Sequence, residues 1–392
     1  MNLLLVTNLF PTPHDPERGI FTLQLVKRLQ KHCHITVVCP LPWFPNWPIL
    51  YRLEKYAQFA KTPTRYSIDG IDVHSPKYPL LPRVSENRHA DFMCMGIQRY
   101  ILNLHKRIGF DAVNSQWLYP DSVAVGKVLR KLPIPHIATG LGCDVNHDIY
   151  EPIKGDRIIS MLNECSAVTV VANSLRDELI GHEIDGRKIS VIPNGIDVEQ
   201  FKILDKNHCR QQLSIHTNMP VILYVGRLSA EKNIKTLIRA GALVINSGNP
   251  VELYLVGDGP LEGTLKELVK DLDIEKYVNF VGKVDHSDVS TWMNASDFFC
   301  LPSLREGCPN VILEALGSGV PVIASKVGAI PDVVNNNSGI LFTPTDVDEL
   351  AGSIKKAIER NWSAAEIASS VDRLSWEHAA DQYYEVFKTA SR

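Results

Sequence analysis

Short apolar runs recur along the first half of the chain and alternate with stretches of helical spacing. The runs predict strands at residues 3–8, 34–39, 71–75, 111–115, 136–139, 167–171 and 189–193. The helical patterns lie near 20–31, 89–107, 120–131, 156–165 and 174–182. Continuous apolar strands separated by helices predict a parallel sheet that is covered on both faces.

The second half of the chain shows the same alternation. Strands are predicted at 221–226, 251–257, 277–282, 297–301 and 321–325, and helices at 231–246, 261–272, 287–295, 309–318 and 346–359. So many strands require two sheets, and we therefore expect two doubly wound α/β domains. The seam is predicted near 193–203, where a strand ends in Pro-Asn-Gly.

The composition is that of a soluble globular protein. The 392 residues are 45% apolar and 22% charged with a net charge of −3, so no global basic field predicts a nucleic-acid partner. No apolar run reaches the ~18–20 residues of a membrane span, and the N-terminus reads as a first strand rather than a signal peptide. The eight cysteines form no C-x-x-C pair and are expected to be reduced, buried thiols of a cytoplasmic protein.

Charged residues follow two of the predicted strands in the second half. Ligands of open α/β sheets bind beyond the carboxyl ends of the strands, which predicts a site in the cleft between the two domains. Arg227 and Lys232 follow the strand at 221–226, and two cations beside a helix start suit a diphosphate. A solvated loop with two surface charges is the alternative. Asp258 follows the next strand, and a turn that caps the following helix is the alternative for it.

The segment REGCPNVILEALGSGVPVI predicts a helix start that binds an anion. Pro309 fits the first helical position, with Cys308 as the cap residue. The backbone N–H groups of Asn310 and Val311 would then point out of the helix. Such N–H groups bind anions without the help of a lysine.

The same segment contains two carboxylates eight residues apart. Helical spacing places Asn310, Glu314, Gly317 and Ser318 on one narrow polar strip, and Glu306 lies in the loop before the helix. Both glutamates are therefore expected to face one crevice, where carboxylates suit sugar hydroxyls. An ordinary amphipathic helix with its polar arc in water is the alternative.

Several segments together resemble one enzyme family. EGCPNVILEAL resembles the E-x7-E element of retaining GT-B glycosyltransferases of the family 4 type. GRLSAEKNI, LVGDGP, VIPNGID, GVPVIASKVGAIPDVV and SWEHAADQYYEVF stand around it in the expected order. The resemblance covers nearly the whole chain and is strongest from about 167 to 390.

The resemblance implies a GT-B fold, in which two Rossmann-like doubly wound domains face each other across a cleft. Residues 1–195 with 376–392 would form the acceptor-binding domain, and 196–375 the domain that binds a nucleotide-diphosphate sugar. The last helix, from about Trp376, would cross back onto the N-terminal domain.

The resemblance also implies roles for particular residues. Arg227 and Lys232 would hold the diphosphate, Glu306 the hydroxyls of the donor sugar, and Glu314 the ribose. Further donor contacts are expected from Gly19, Asp258, Gly307, Pro309, Asn310 and Val311. The residues expected to act in catalysis are Glu306, Arg227, Lys232 and Asp144.

The family usually works without a metal, so we expect no metal or other cofactor. The Asp-x-Asp sequences at 271–273 and 346–348 read as solvated helix faces. No good side-chain nucleophile is evident, so we expect the leaving phosphate itself to deprotonate the acceptor on the same face.

The chain departs from the family pattern in its first half. Only Gly19, flanked by Arg18, stands where the family has a glycine-rich loop, and helix-start geometry is an alternative reason for it. In the 138–148 segment Leu141 occupies the position of a family histidine, so a catalytic histidine is not expected there. Asp144 is retained and is expected to meet a hydroxyl.

The segment at 39–59 is rich in proline and aromatic residues. It predicts a loop and helix that dip into the membrane interface, where a lipid-linked acceptor would lie. A packed surface loop is the alternative.

Together with these patterns, the resemblance implies a cytoplasmic, retaining glycosyltransferase, peripheral on the inner face of the membrane. It would move a hexose-type sugar to a lipid-linked or polysaccharide intermediate of cell-surface glycan synthesis. Leu141 keeps open a second hypothesis, a nucleotide-sugar-binding subunit that acts with a partner. A dinucleotide oxidoreductase is disfavoured because no G-x-G-x-x-G opens a helix after an N-terminal strand.

Overall fold

The computed structural model describes residues 1–43, 58–59, 61–80 and 86–392. In these residues the chain forms two compact units, unit 1 (Met1–Pro193 with Trp376–Arg392) and unit 2 (Asn194–Ser375). The divisions lie within two residues of the boundaries expected from the sequence.

Unit 1 is built on a largely parallel sheet, as predicted. Its described strands are β1 (Asn2–Val6), β2 (His34–Val38), β3 (Leu41–Trp43), β4 (Arg65–Ile68), β5 (Ile71–His74), β6 (Lys77–Pro79), β7 (Ala112–Gln116), β8 (His136–Gly140), β9 (Ala167–Val170) and β10 (Ile189–Val191). The strand order is β10-β9-β8-β7-β1-β2-β5-β4, with β4 antiparallel to β5, and β3 pairs with β6 separately. The described α-helices before the seam are α1 (Ile20–Leu29), α2 (His89–Ile108), α3 (Val123–Leu129), α4 (Cys143–Asn146), α5 (Pro152–Glu164) and α6 (Asn173–Gly181).

Unit 2 contains a second parallel sheet. Its strands are β11 (Val221–Val225), β12 (Glu252–Val256), β13 (Val278–Gly282), β14 (Phe298–Leu301), β15 (Val322–Ser325) and β16 (Gly339–Phe342), in the order β13-β12-β11-β14-β15-β16. Its helices are α7 (Lys206–Gln212), α8 (Ile234–Asn246), α9 (Glu262–Asp271), α10 (Val289–Ala295), α11 (Asn310–Gly317), α12 (Ile330–Val333), α13 (Val347–Glu359) and α14 (Ala364–Ser369).

The last helix of the chain, α15 (Trp376–Ala390), returns to unit 1. Its apolar face is formed by Trp376, Tyr383 and Phe387, which lie in one buried cluster with Leu23 and Val26 of α1. Burial of three aromatic side chains fixes this helix on unit 1.

Every predicted strand is present, but several short elements were not expected. The unpredicted strands are β3, β4, β6 and β16, and the unpredicted helices are α4, α7, α12 and α14. Each is at most seven residues long. Elements this short show too few periods of apolar spacing to stand out in the sequence.

Each large sheet has one position where the strand order reverses. In unit 1 the reversal lies between β1 and β7, and in unit 2 it lies between β11 and β14. The loops after two such strands diverge and leave a crevice at the carboxyl edge of the sheet. The loops after β1, β7, β11 and β14 are therefore where ligands are expected.

The predicted membrane-interface segment at 39–59 falls mostly on residues 44–57, which lie outside the described residues. Of that segment the structure describes 39–43 and 58–59, and Trp43 is 53% exposed. Among the described helices, none has the length and apolar character that a bilayer crossing requires. Contact with a membrane stays a prediction.

A buried histidine makes the stability of unit 1 depend on pH. The His136 ring lies between Ser115 Oγ, 2.7 Å from Nε2, and Cys165 Sγ, 3.3 Å from Nδ1. Burial lowers the pKa of His136 from 6.5 to about 4. Below pH 6.5 the unfolded chain binds a proton that the folded chain does not hold, so the stability falls as the pH drops toward about 4.

Replacing His136 with glutamine removes this linkage. We expect the wild type to lose up to about 2 kcal/mol of unfolding free energy through this residue between about pH 7 and about pH 5. His136→Gln should show a correspondingly weaker dependence on pH in urea unfolding. Equal dependence in the two proteins would contradict this account.

Candidate functional site

The loop after β11 carries Arg227 and is held by main-chain atoms. The Leu228 N–H donates to the Asp258 carbonyl at 2.7 Å. The hydroxyl of the buried Tyr224 donates to the Arg227 carbonyl at 2.9 Å. The Arg227 side chain is exposed, and within the described part of the chain no hydrogen bond or ion pair engages its guanidinium. The main chain of the loop is therefore fixed, and it carries an exposed cation whose guanidinium is available to a ligand.

Two glycines allow the loop after β12 to pack directly on this loop. A Cβ at Gly259 would lie 2.4 Å from the Leu228 carbonyl oxygen, and one at Gly257 would lie 2.0 Å from that of Gly226. Side chains cannot be accommodated at such distances. Asp258 thus supports the Arg227 loop through its main chain, and its exposed carboxylate stays a predicted donor contact.

Lys232 and Glu306 form an ion pair at the reversal of strand order. Lys232 ends a short 3-10 turn, after which Asn233 adopts a left-handed φ of 51°, so α8 begins at Ile234 and not at the predicted residue 231. The distance from Lys232 Nζ to Glu306 Oε1 is 2.6 Å, and the two side chains are only 24% and 10% exposed. Screening by water is weaker for such a pair than for a surface pair.

The orientation of Glu306 is fixed from a second side. Ser303, in the loop after β14, donates its hydroxyl to Glu306 Oε1 at 2.6 Å. Ser325 at the end of β15 donates to the Ser303 carbonyl at 2.5 Å. The carboxylate therefore lies in a defined place before any ligand arrives.

The main chain beneath Glu306 rests on a glycine. Gly328 has a φ of 56°, and a Cβ there would lie 2.3 Å from the Glu306 carbonyl oxygen and 2.5 Å from that of Gly307. The Ala329 N–H donates to the Gly307 carbonyl at 2.7 Å. Gly307, a predicted donor contact, thus holds the loop against α12 through its carbonyl.

Helix α11 begins one residue later than predicted. Pro309 has an extended ψ of 108° and is the cap residue, so Cys308 lies before the cap and Asn310 is the first helical residue. The N–H groups of Asn310 and Val311 have no acceptor among the described residues. Asn194 Nδ2 donates to Asn310 Oδ1 at 2.8 Å, so the Asn310 side-chain oxygen already has a partner. The predicted anion-binding N–H groups are therefore available.

Glu314 is paired with a histidine that the sequence analysis did not single out. The distance from Glu314 Oε1 to His286 Nε2 is 3.0 Å, and Glu314 is 13% exposed. The Phe201 ring meets the His286 ring edge-on at 5.4 Å, and Gln200 Nε2 donates to the His286 carbonyl at 2.8 Å. These contacts hold the carboxylate beside the helix start.

The predicted polar strip of α11 is shorter than expected. Gly317 and Ser318 are buried, and a Cβ at Gly317 would lie 2.2 Å from Ile196 Cδ1 and 3.0 Å from the Phe201 carbonyl oxygen. The close approach predicted for this glycine is real, but the protein's own chain makes it. Glu314 is therefore the last residue of the strip that faces the crevice.

Two buried groups near the site, the Cys308 thiol and the Tyr224 hydroxyl, keep their protons at neutral pH. Burial raises the pKa of the Cys308 thiol to about 11. Burial and the nearby Glu306 charge raise the pKa of Tyr224. Both groups stay protonated and are not nucleophiles. The cations and main-chain N–H groups of the site can bind an anion. Its two carboxylates can accept hydrogen bonds from hydroxyls.

In unit 1, Gly19 has a structural reason of its own. It precedes α1 with a left-handed φ of 59°, and a Cβ there would lie 2.1 Å from the Leu9 carbonyl oxygen. The helix-start alternative therefore explains this glycine. A donor contact from its main chain stays a prediction.

Asp144, predicted to act in catalysis, is a buried acceptor of main-chain N–H groups. It is fully buried, and its carboxylate accepts N–H groups from Leu118 at 2.9 Å, Leu141 at 3.0 Å and Gly142 at 2.8 Å. Burial raises its pKa to about 6, and the three N–H groups lower it. A carboxylate occupied in this way organises the loop around Leu141. A role of Asp144 in catalysis stays a prediction.

Three residues of the unit 2 site were missed: His286, Ser303 and Asn194. His286 and Ser303 follow β13 and β14, so the rule that ligands bind after strands would have found both. Asn194 stands in the VIPNGID motif, but only the fold shows that its amide reaches α11.

The two Asp-x-Asp sequences take no part in this site. Asp346 caps α13 by accepting the Glu349 N–H at 2.8 Å, and Asp273 has a left-handed φ of 55° after α9. Across the described ranges, no three His, Cys, Asp or Glu side chains are grouped as metal ligands.

The packing beneath Glu306 predicts a selective effect of one substitution. Gly328→Ala should lower the free energy of unfolding by about 2–4 kcal/mol, because strain at positive φ is added to a main-chain clash. Gly248→Ala is the matched control, since Gly248 has a φ of 87° and nothing within 4 Å of a Cβ. It should cost about 1 kcal/mol. Equal losses in urea unfolding of the two variants would contradict the packing argument.

Two family profiles cover nearly all of the chain. The profile described as "Glycosyl transferases group 1" matches residues 205–388. The profile described as "Glycosyltransferase Family 4" matches residues 19–200. Their meeting point lies close to the division between unit 1 and unit 2.

Known proteins are similar over the same length. A putative teichuronic acid biosynthesis glycosyltransferase, TuaC of Bacillus subtilis, is 28% identical over 361 residues, which are 91% of this chain and 89% of TuaC. Sucrose-phosphate synthase from Thermosynechococcus elongatus is similar in structure with a TM-score of 0.79, at 19% identity over 99% of this chain and 98% of its own. Anabaena HepE in complex with UDP has a TM-score of 0.74, at 22% identity over 99% of this chain and 100% of its own.

The structural similarities show the fold, and the profiles show the family. The chain is a glycosyltransferase of the GT-B fold and belongs to the group 1, family 4 type.

Proposed function

We propose that this glycosyltransferase transfers a sugar, with retention of configuration, from a nucleotide-diphosphate sugar to a glycan or lipid-linked acceptor. The observation that carries the proposal is the Lys232–Glu306 pair, 2.6 Å apart at the strand reversal of unit 2. A cation next to a fixed carboxylate matches a ligand in which a phosphate is bonded to a sugar rich in hydroxyls.

The diphosphate is bound by charge and by main-chain N–H groups. Arg227 and Lys232 lie in the loop after β11, and the N–H groups of Asn310 and Val311 open α11. The positive end of a helix and two cations together stabilise the charge that develops on the leaving diphosphate. On binding, Lys232 would share its three N–H donors between a phosphate oxygen and Glu306.

The sugar and the ribose are bound by the two glutamates. Glu306 already accepts from Lys232 and Ser303, and its carboxylate has further lone pairs for sugar hydroxyls. Glu314 would accept from the ribose hydroxyls while His286 holds it in place. The donor is then bound along one edge of the unit 2 sheet.

Transfer would follow an internal-return route. The bond between the anomeric carbon and the phosphate oxygen breaks, and the acceptor hydroxyl oxygen attacks the same face of the sugar. Its proton passes to the departing phosphate oxygen. Arg227 and Lys232 lower the energy of that charged phosphate, so the step needs no side-chain nucleophile.

The acceptor is proposed to be a lipid-linked or polysaccharide intermediate of glycan synthesis at the cell surface. TuaC, similar along almost the whole chain, bears a name from teichuronic acid synthesis. HepE has been described in complex with UDP and glucose, which makes UDP-sugars the first donors to try.

A nucleotide-sugar-binding subunit is the second hypothesis. It rests on Leu141, whose side chain can neither donate a hydrogen bond nor move a proton. Hydrolysis or transfer of a nucleotide sugar by the purified chain favours the enzyme. Binding without turnover over a panel of acceptors favours the subunit.

The two glutamates are expected to affect different measurements. A thermal-shift screen with UDP-, GDP- and ADP-sugars first identifies the nucleotide. Glu306→Ala should lower the turnover number by about 100-fold and leave the affinity for the nucleoside diphosphate within about threefold, because Lys232 stays available to the phosphate. Glu314→Ala should weaken that affinity by about 10- to 100-fold, the value of lost hydrogen bonds to a charged group.

The exposed Glu267 of α9 supplies the matched control. Glu267→Ala should leave both quantities unchanged. The assignment fails when Glu306→Ala and Glu314→Ala have the same effect on nucleotide affinity.

Retention is tested by the anomeric configuration of the product. NMR of the first product formed should show the same configuration at the anomeric carbon as the donor. An inverted product would exclude the internal-return route and leave donor binding by unit 2 untouched.

A further inference from the structure

The strand reversal of unit 1 forms a second crevice that the proposed donor residues of unit 2 do not account for. The loop after β1 contains Asn8 and Arg18, and the loop after β7 contains Asp121. β1 and β7 are hydrogen-bonded neighbours, so these loops leave the sheet side by side. This is the position at which a doubly wound sheet binds a ligand.

Arg18 is held in one orientation in this crevice. Its Nε donates to the Asn8 carbonyl at 2.8 Å, and its Nη2 donates to Asn8 Oδ1 at 3.4 Å. The Phe59 ring covers one face of the guanidinium, 4.5 Å from its central carbon to the ring centroid. An arginine restrained by two hydrogen bonds and a ring has lost most of its side-chain freedom already.

The charge of this arginine has no direct counterpart. Arg18 is half-buried, and no carboxylate of the described residues lies within 4.0 Å of it. Of its five N–H donors, two are used by Asn8. A half-buried cation with donors to spare is stabilised by an anion, and the planar guanidinium suits phosphate and carboxylate oxygens.

Asp121 sets the orientation of Asn8. It is fully buried and accepts the Asn8 backbone N–H at 2.5 Å through Oδ1 and the Asn8 side-chain amide at 2.6 Å through Oδ2. Because the Asn8 amide nitrogen faces Asp121, its oxygen is left to face Arg18. Asp121 thus acts on the arginine through one intervening side chain.

The electrostatic surroundings of Asp121 agree with this arrangement. Burial raises the pKa of its carboxyl to about 8 and Asp144 adds to the rise, while the Asn8 N–H and the Arg18 charge lower it. Burial raises the pKa of the Cys39 thiol to about 11, and the Asp121 charge adds to the rise. Arg18 is therefore close enough for its charge to be felt, although Asn8 stands between the two side chains.

We propose that Arg18 binds an anionic group of a substrate, a phosphate or carboxylate oxygen, and that Asp121 positions it through Asn8. The inference rests on the proposed function in that the ligand is a substrate of the transfer reaction. Two sources share this chemistry: the diphosphate of the donor and an acidic group of the acceptor.

Two titrations of the full chain distinguish the sources. Calorimetry with UDP, GDP and ADP measures nucleotide affinity, and phosphorus NMR of inorganic phosphate measures a second anion site on the nucleotide-saturated chain. If Arg18 takes the donor diphosphate, Arg18→Gln weakens nucleotide binding by about 10- to 100-fold. If it takes an acceptor anion, nucleotide binding is unchanged and Arg18→Gln weakens phosphate binding by a similar factor.

Arg187→Gln is the matched control, since the Arg187 side chain is 91% exposed in the same unit. Arg18→Lys keeps the charge without the planar fork and should fall between the wild type and Arg18→Gln. The proposal is overturned if Arg18→Gln binds the nucleotides and phosphate as tightly as the wild type does. It is also overturned if the two proteins have equal nucleotide affinities and neither binds phosphate. If the wild type binds no nucleotide, the donor proposal fails, and the phosphate titration of the chain alone still decides the role of Arg18.

The positioning role is tested by a double-mutant cycle. Asp121→Asn places an amide nitrogen against that of Asn8 and should weaken the same binding by about tenfold. The double variant with Arg18→Gln should be no weaker than Arg18→Gln alone, because Asp121 acts only through the arginine. Additive losses would show that Asp121 has a general structural role, and this part of the proposal would then be wrong.

Discussion

The parallel pairing of β11 with β14 is the constraint on which the unit 2 site depends. It joins Ile222 to Phe298 and Leu223 to Phe299 in register, and so brings two distant loops to the same edge of the sheet. Lys232 and Glu306 are 74 residues apart in the chain and meet only because of this pairing. Each is then held by its own loop, Glu306 through Ser303 and Lys232 through the turn that precedes α8. The site is thus built on rigid strands, although Lys232 and Glu306 lie in the connections that follow them.

Charge pairing within the site prepares it for a donor. Lys232 is neutralised by Glu306 and Glu314 faces His286, so the half-buried carboxylates have partners in the protein before any ligand is bound. A phosphate next to Lys232 and sugar hydroxyls that donate to Glu306 would replace part of the Lys232–Glu306 pair with contacts to the ligand. The further cost of desolvation on ligand binding is small, because Lys232 and the two carboxylates are already largely removed from water.

Sequence patterning predicted the architecture well because buried parallel strands are long apolar runs. It placed Arg227, Lys232, Glu306 and Glu314 correctly after strands or on α11, since these positions depend on local order along the chain. It failed where a tertiary contact decides.

The burial of Gly317 depends on Ile196, and the pairing of Glu314 depends on a loop after β13. Asp144 shows the same limit. Its motif does not reveal that three backbone N–H groups from its own surroundings donate to its carboxylate.

Each of the two sheets has a cation at its strand reversal, but the two cations have different partners. In unit 2 a lysine lies against a carboxylate, and in unit 1 Arg18 is separated from Asp121 by Asn8. The neutral side chain in unit 1 orients the cation without neutralising it. Among the described residues, Lys232 thus has a carboxylate partner at its strand reversal, whereas Arg18 has none within 4.0 Å at the reversal of unit 1.

Unit 2 is proposed to bind the donor by exchanging part of the Lys232–Glu306 ion pair for contacts with the diphosphate and the sugar. The most direct measurement is a crystal structure of the chain with its nucleotide sugar. The account predicts Lys232 Nζ within about 3.2 Å of a diphosphate oxygen and the Glu306 carboxylate within hydrogen-bond distance of the sugar hydroxyls. A diphosphate bound elsewhere, with the Lys232–Glu306 pair unchanged, would contradict it.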